Sequence, residues 1–408
     1  MKKKINIVSI DTPPIQKNPY ILFIADTLSN DYDISYWGLD KAKNYRNITM
    51  FYINNICLKI FRRVMRPMAF LFLMISNSKT VKCYSFFEIK SVAIYISDII
   101  GSNIFLFFSL LYNSKHKDAF IVINAGGLLA LSWLKKIRNI RYCYCIYECY
   151  PFQSFVKSRL FSSWRCFFEN NGIQKSDFLM DAGENKISLF MSKIYKIKKK
   201  EIKNILITPK PNFRFSREKT EYPVKFYYHG GYMANRGLEE LVCSMKNIDA
   251  RKGNLYLRGI GDLKKELEEI VSEYNINDRV IFLDPVETEL LSDVAADFDV
   301  GLTMLKMNCF NHKFGVGFKT FENMNAGLAL IAGASYNLKP MFDKYKVGIL
   351  YTDATIDELT RVMNYCIENI EWLDDCKRVS RYCMENVMGR SFQEIKLIKA
   401  IETLFMVA

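Results

Sequence analysis

Gly315-Val316-Gly317-Phe318-Lys319-Thr320-Phe321-Glu322-Asn323-Met324-Asn325-Ala326-Gly327, continued by Leu328-Ala329-Leu330-Ile331, reads as a loop, a short helix, a glycine stop and a buried strand. Two glycines loosen the backbone ahead of the helix, and Phe321 and Met324 share a face suited to a core. Lys319 and Glu322, three residues apart, share the other face near the first turn. A helix start offers unpaired N–H groups and a positive dipole end, which suit a phosphate. A lysine there adds a cation, and a carboxylate one turn on accepts two hydrogen bonds from a ribose diol. The same pair also fits an ordinary surface salt bridge on a core helix. The stretch therefore establishes a loop–helix–strand unit, and the rest of the chain must decide its use.

Upstream, the same unit recurs. Lys225 to His229 is strand-like and runs into the loop Gly230-Gly231-Tyr232-Met233-Ala234-Asn235-Arg236-Gly237. Leu238, Leu241, Val242 and Met245 follow at helical spacing. Asn254 to Arg258 is the next strand, Gly259-Ile260-Gly261 the next turn, and Leu263, Leu267, Ile270 and Val271 the next helical stripe. Arg279 to Leu283, a helix around Leu290 and Val294, and Val300 to Met304 repeat the pattern. Further β-α units run through Val347 to Leu350, and helices close the chain. Strands alternating with helices predict an α/β architecture with a parallel sheet covered on both faces and ligands at the strand carboxyl ends.

The first half follows a looser version of this rhythm. Strands are expected at Ile5–Ile10, near Tyr32–Trp37, and at Ala119–Asn124, Arg141–Tyr147, Asp177–Met180 and Asn204–Thr208. Helices are expected near Asn18–Leu28, Leu128–Lys135 and Gln153–Asn170. Residues 40–117 form an insertion that resists this reading. It holds the basic-aromatic stretch 59–75, with Lys59, Arg62, Arg63 and Arg66, and a second apolar run from Ser91 to Tyr112. Neither run reaches the roughly 20 clean apolar residues of a membrane span. Helices lying on an anionic membrane surface and buried helices with basic rims both fit. The expected organisation is a domain over 1–208, a linker at 209–223, a domain over 224–385 and a C-terminal helix in 386–408 packing near the domain interface. The linker reading rests on the polar, proline-bearing run from Thr208 to Pro223.

At 408 residues the chain suits two domains of ordinary size. Half of it is apolar, which excludes a disordered chain, and the net charge of +14 favours an anionic partner. No nucleic-acid motif accompanies that charge, so no nucleic-acid partner is expected. The 11 cysteines lack metal spacing, and Cys143, Cys145 and Cys149 sit in an aromatic run that suits buried thiols. Met1-Lys2-Lys3-Lys4 leads into an apolar run too short for a signal core, so a reducing, cytoplasmic location is expected. Asp297-Phe298-Asp299 has the form of a cation site, but its place directly before a strand favours a structural role.

Two loops carry the chemistry. Residues 230–237 pair Gly230 and Gly231 with Arg236 at a helix start, and 305–319 delivers Lys319, with Glu322 beyond it. In a doubly wound sheet both open onto one crevice. Arg236 and Lys319 would then hold a diphosphate and Glu322 a ribose. Gly259 and Gly261 end a third strand, where they serve either a ligand or a tight turn. From His229 to Gly348, the motifs Gly230-Gly231…Arg236-Gly237-Leu238-Glu239-Glu240-Leu241, Leu257-Arg258-Gly259-Ile260-Gly261, Arg279-Val280-Ile281-Phe282-Leu283, Asp299-Val300-Gly301-Leu302 and Lys319 to Leu328 resemble the sugar-nucleotide domain of family 4 retaining glycosyltransferases. The resemblance implies the GT-B fold, two Rossmann-like doubly wound parallel-sheet domains facing across a cleft.

It further implies transfer of a sugar from a nucleotide-sugar donor, with retention, to a saccharide or lipid-linked acceptor. Surface polysaccharide biosynthesis of the capsule or lipopolysaccharide type, at the inner face of the cell membrane, is the implied setting. Arg236 and Lys319 match the family's diphosphate-binding positions and Glu322 its ribose-binding acid. The family's first, sugar-contacting glutamate would fall at Phe314 and is missing. No cofactor or metal is required, because the leaving diphosphate is met by Arg236, Lys319 and helix-end amides. In the first half, Thr12 and Pro13 stand at the first strand's loop and Glu148 at another strand end, as acceptor-side candidates. Glu148 would also be the general base of an inverting transferase. That reaction, a nucleotide-sugar epimerase and a non-catalytic partner in a polysaccharide assembly complex are the alternatives.

Overall fold

The computed structural model describes residues 2–10, 18–38, 45, 48–52, 63, 66–67, 86–146, 166, 169–181 and 201–406. The chain divides into two compact units, Met1–Ile205 with Glu394–Ala408, and Leu206–Gln393.

In the first unit, seven parallel strands are β1 (Lys4–Val8), β2 (Asp33–Gly38), β3 (Thr49–Tyr52), β4 (Ala119–Ile123), β5 (Arg141–Ile146), β6 (Phe178–Asp181) and β7 (Ile202–Asn204). Their order is β3-β2-β1-β4-β5-β6-β7, with the winding reversing between β1 and β4. The central strands are buried along almost their whole length, as expected of a parallel sheet with helices on both faces. Asn18 caps the helix Pro19–Leu28, its side chain accepting from the Tyr20 and Ile21 amides. The helix Phe86–Asn113 is stitched to the Gly126-Gly127 turn through buried Asn103. Its Nδ2 donates to the Gly126 carbonyl at 2.8 Å and its Oδ1 accepts from the Ala130 amide at 2.8 Å.

Two elements depart from expectation. β3 lies inside the insertion that gave no strand signal, and pairs with β2. The strand expected at Asn204–Thr208 is found earlier, at Ile202–Asn204, where β7 forms the edge of the sheet. An edge strand is half-exposed, so its apolar residues do not mark its extent. Most of the 59–75 stretch and the helix expected at 153–170 lie outside the described residues. Arg66 is described, and its guanidinium meets both Asp98 oxygens at 3.1 Å. Among the described residues no helix is long and apolar enough to cross a membrane.

In the second unit six parallel strands are β8 (Val224–His229), β9 (Gly253–Arg258), β10 (Val280–Leu283), β11 (Val300–Thr303), β12 (Ala329–Gly333) and β13 (Gly348–Tyr351). Their order is β10-β9-β8-β11-β12-β13. Winding reverses between neighbours β8 and β11, so the loops after these two strands diverge and leave a crevice at their carboxyl ends. One face of the sheet packs Phe226, Leu255, Leu257 and Val300 against Leu238, Leu241, Leu359 and Val362. On the other, Phe321 and Met324 of the helix Phe318–Asn325 pack with Leu330 and Ala332. That is the anchoring their spacing implied.

The stretch expected as a linker is bonded to this second unit. The Ser216 amide donates to the Ala326 carbonyl at 2.8 Å, and the Thr220 amide to Asp374 at 2.9 Å. Arg217 grips Asp299 through Nε at 3.0 Å and Nη2 at 2.9 Å. Lys377 reaches the same buried carboxylate at 3.3 Å, and the Lys225 amide donates to it at 3.0 Å. Asp297 is bound by Arg214. Both carboxylates of the Asp-X-Asp are thus occupied by protein cations.

Candidate functional site

Strand β8 delivers His229, Gly230 and Gly231 to the crevice, and β11 delivers Thr303 and the loop to Gly317. The two loops are tied together through Asn235. Its carbonyl accepts from the Lys306 amide at 3.2 Å, and its side chain meets Asn308 at 3.3 Å. Lys306 also binds Glu240 at 2.6 Å, fastening the second loop to the helix that follows the first. Tyr351, fully buried at the end of β13, accepts from the Leu305 amide at 2.7 Å and so fixes the start of the second loop.

Lys319 lies in the space that a side chain on Gly230 would occupy. A Cβ at Gly230 would come within 2.2 Å of Cε and 2.3 Å of Nζ, and Gly230 has a φ of +129°. The backbone at position 230 favours glycine, and a side chain there would require Lys319 to shift. The Lys319 ammonium sits 4.9 Å from the Tyr228 ring centroid and 3.4 Å from its hydroxyl. That hydroxyl in turn donates to the Gly231 carbonyl at 2.9 Å. Lys319 as a whole is half-buried. Burial, and then the nearby Arg236, push its pKa down to about 7 against an upward pull from Glu322.

Arg236 is half-buried two residues before the helix Leu238–Ser244 and makes no ion pair among the described residues. It is close enough to lower the pKa of both Lys319 and His312. His312 is half-buried and donates through Nδ1 to the Lys306 carbonyl at 2.6 Å; burial is the larger cause of its depressed pKa. Three basic side chains thus converge, and among the described residues no carboxylate forms an ion pair with any of them.

Glu322 takes a different partner from the one expected of it. It is 3% exposed, and its Oε2 lies 2.7 Å from Nε2 of His229, itself 2% exposed. The other ring nitrogen of His229 has no partner among the described residues. Tyr227 stacks on His229 at 5.4 Å between centroids. Below, the hydroxyls of Thr303 and Thr320 meet at 3.3 Å, joining the end of β11 to the first turn of the helix.

The crevice therefore gathers Gly230, Gly231, Arg236, Lys319 and Glu322. Gly259 and Gly261 lie beside it, and backbone packing accounts for both glycines. A Cβ on Gly259 would stand 1.9 Å from the Gly230 carbonyl oxygen, and one on Gly261 2.2 Å from that of Tyr232. Thr12, Pro13 and Glu148 lie outside the described residues. Phe314 stacks on Phe310 at 4.3 Å and lies tilted against Tyr336 at 4.9 Å, an aromatic group ahead of the helix. Sequence reasoning missed Tyr228, His229 and His312. The place of His229 directly before Gly230-Gly231 was the available signal.

Residues 209–382 match the family model described as Glycosyl transferases group 1. This segment is a group 1 glycosyltransferase domain. The chain is a glycosyltransferase on that ground, and solved structures of low identity share its GT-B fold. Sucrose-phosphate synthase (tll1590) from Thermosynechococcus elongatus superposes with a TM-score of 0.72 at 13% identity, covering 100% of both chains. Anabaena Alr3699/HepE in complex with UDP gives 0.67 at 12% identity, covering 98% of this chain and 100% of the other. The lipopolysaccharide outer core galactosyltransferase WaaB gives 0.65 at 13% identity, covering 98% and 99%. No curated protein matches the sequence.

Proposed function

We propose that the second unit binds a nucleotide-sugar donor, with Arg236 and Lys319 on the diphosphate and Glu322 on the ribose. One observation carries this reading: two cations without an ion pair among the described residues, Arg236 and Lys319, converge at the carboxyl ends of β8 and β11, where gathering like charges costs stability unless an anion joins them. HepE, of the same fold, is solved with UDP and with UDP-glucose. His229 holds Oε2 of Glu322, which leaves Oε1 for the ribose diol.

The reaction in this reading is transfer of the sugar, with retention, to a hydroxyl of a saccharide or lipid-linked acceptor in surface polysaccharide synthesis. As the glycosidic bond to the diphosphate breaks, negative charge grows on the leaving oxygen, and Arg236 and the Lys319 ammonium stabilise it. An ammonium with a pKa near 7 is neutralised in part when the site is empty and takes up a proton as the diphosphate arrives. The acceptor side rests on Thr12, Pro13 and Glu148 as sequence expectations. WaaB, a lipopolysaccharide galactosyltransferase of the same fold, supports the acceptor class. The test is turnover of a panel of UDP- and GDP-sugars with the anomeric configuration of the product read by NMR. A retained configuration supports the proposal. Inversion would move the assignment to a base-catalysed transfer, and Lys319→Ala turning over every donor like wild type would remove the site.

A further inference from the structure

The first unit carries a second concentration of positive charge, at the opposite pole of its sheet from the strand carboxyl ends. A cleft of about 890 Å³ opens beside the amino ends of β1, β2, β4 and β5. Lys2, Lys3, Lys4, Lys115, Lys117 and Arg141 line it, against two carboxylates, Asp33 and Asp118. Asp118 is buried and already accepts from the Lys115 amide at 3.0 Å and from Asn6 at 3.4 Å. Asp33 is then the one exposed carboxylate of the lining.

Some of the cations are also satisfied. Arg141 pairs with Asp177 at 2.9 Å, Lys2 donates to the Asn30 carbonyl, and Lys3 lies 4.8 Å from the centre of the Phe405 ring. Lys4, Lys115 and Lys117 have no side-chain partner among the described residues. The loop that holds Lys115 and Lys117 is firm. The Lys117 amide donates to the Asn139 carbonyl at 3.0 Å, the Asp118 amide to the Lys115 carbonyl at 3.3 Å, and Lys117 has a φ of +73°. Tyr32, stacked on Phe405 at 5.7 Å, forms an apolar floor.

Like charges held in a concave space by a tight turn repel one another, and an anion that enters relieves the repulsion. We propose that this cleft binds a phosphate group carried on a ligand of headgroup size. The volume is in the range of small-molecule sites, far above that of a bare phosphate. Lys4, Lys115 and Lys117 contact the phosphate, and the Tyr32–Phe405 stack packs against the rest of the ligand. Phospholipid headgroups and soluble phosphate compounds share this chemistry.

The full-length protein is sedimented with vesicles of phosphatidylcholine alone and with 30% phosphatidylglycerol (about that fraction mimics an anionic leaflet), and separately titrated with inorganic pyrophosphate. The variant is Lys115→Gln with Lys117→Asn, since asparagine accepts the left-handed backbone. The control, Lys264→Gln with Lys265→Gln, removes the same charge from an exposed helix elsewhere. Anion binding at other places cancels in the difference between wild type and variant. A loss of tenfold or more (about what two lysines contribute at an anionic surface) in the variant, with the control unchanged, supports the site. Loss in the vesicle arm alone assigns it to a headgroup, and loss in the pyrophosphate arm assigns it to a soluble phosphate. Equal behaviour of variant, control and wild type in both arms overturns the proposal, as does equal loss in variant and control.

Discussion

The second unit holds two clusters of charge that look alike in composition and behave oppositely. At the amino end of β11, Asp299 is fully buried and receives Arg217, Lys377 and a backbone amide. At the carboxyl end of the same strand, Arg236 and Lys319 approach each other with no carboxylate bonded to either among the described residues. The first cluster is closed: every partner is supplied by the chain, and it fastens residues 217–220 to the unit. The second is left open in a crevice, with its one acid, Glu322, diverted to His229. Charges that are satisfied internally serve the fold, whereas charges held apart from their partners are available to a ligand.

Mutation should separate the two. Asp299→Ala leaves the buried Lys377 with only the more distant Asp374, at 3.7 Å, as a counter-charge among the described residues, and should cost up to roughly 3–5 kcal/mol of stability, read as a fall in thermal midpoint. Lys319→Ala should leave the midpoint unchanged or raised while weakening donor binding by about 1.5–3 kcal/mol, or roughly ten- to a hundredfold, in calorimetric titration. Equal loss of stability in the two variants would erase the distinction between the clusters.

The open cluster should also respond to pH. The Lys319 pKa of about 7 lies below that of an unfolded lysine, so between these values the unfolded chain binds more protons and stability rises with pH. Below pH 7 the cost of burying the cation is fully present, so Lys319→Met should stabilise most near pH 6, with the gain fading toward pH 10 (about the ordinary lysine value). Donor affinity follows the ammonium and should fall about tenfold from pH 6 to pH 8, with proton uptake on binding visible in buffers of different ionisation heat. The smallest effect is expected at His229. His229→Gln keeps a donor toward Glu322 and should be mild, whereas His229→Ala should raise the donor KM by about fivefold (one hydrogen bond of roughly 1 kcal/mol) with kcat little changed.

How much of this could be read beforehand depends on where each signal lives. The strands of the second unit were legible because each is a short apolar run ended by glycine or a polar loop. Lys319 and Glu322 were legible as a pair because helical spacing alone sets them on one face. His229 was not, since its partner lies 93 residues away and no local pattern links them. In the first unit β3 was hidden by a basic, aromatic context, and β7 was misplaced by several residues because an edge strand buries too little to show its ends.

By itself, the sequence determined the alternation of strands and helices, the division of the chain into two α/β units, and which loops carry the basic residues. It did so because periodicity and glycine placement are local properties of the chain. Strand order, the seating of Lys319 against Gly230, the charge of its ammonium and the capture of Glu322 by His229 were decided by tertiary structure. Each depends on distance through space and on exclusion of water, which no stretch of the chain encodes alone.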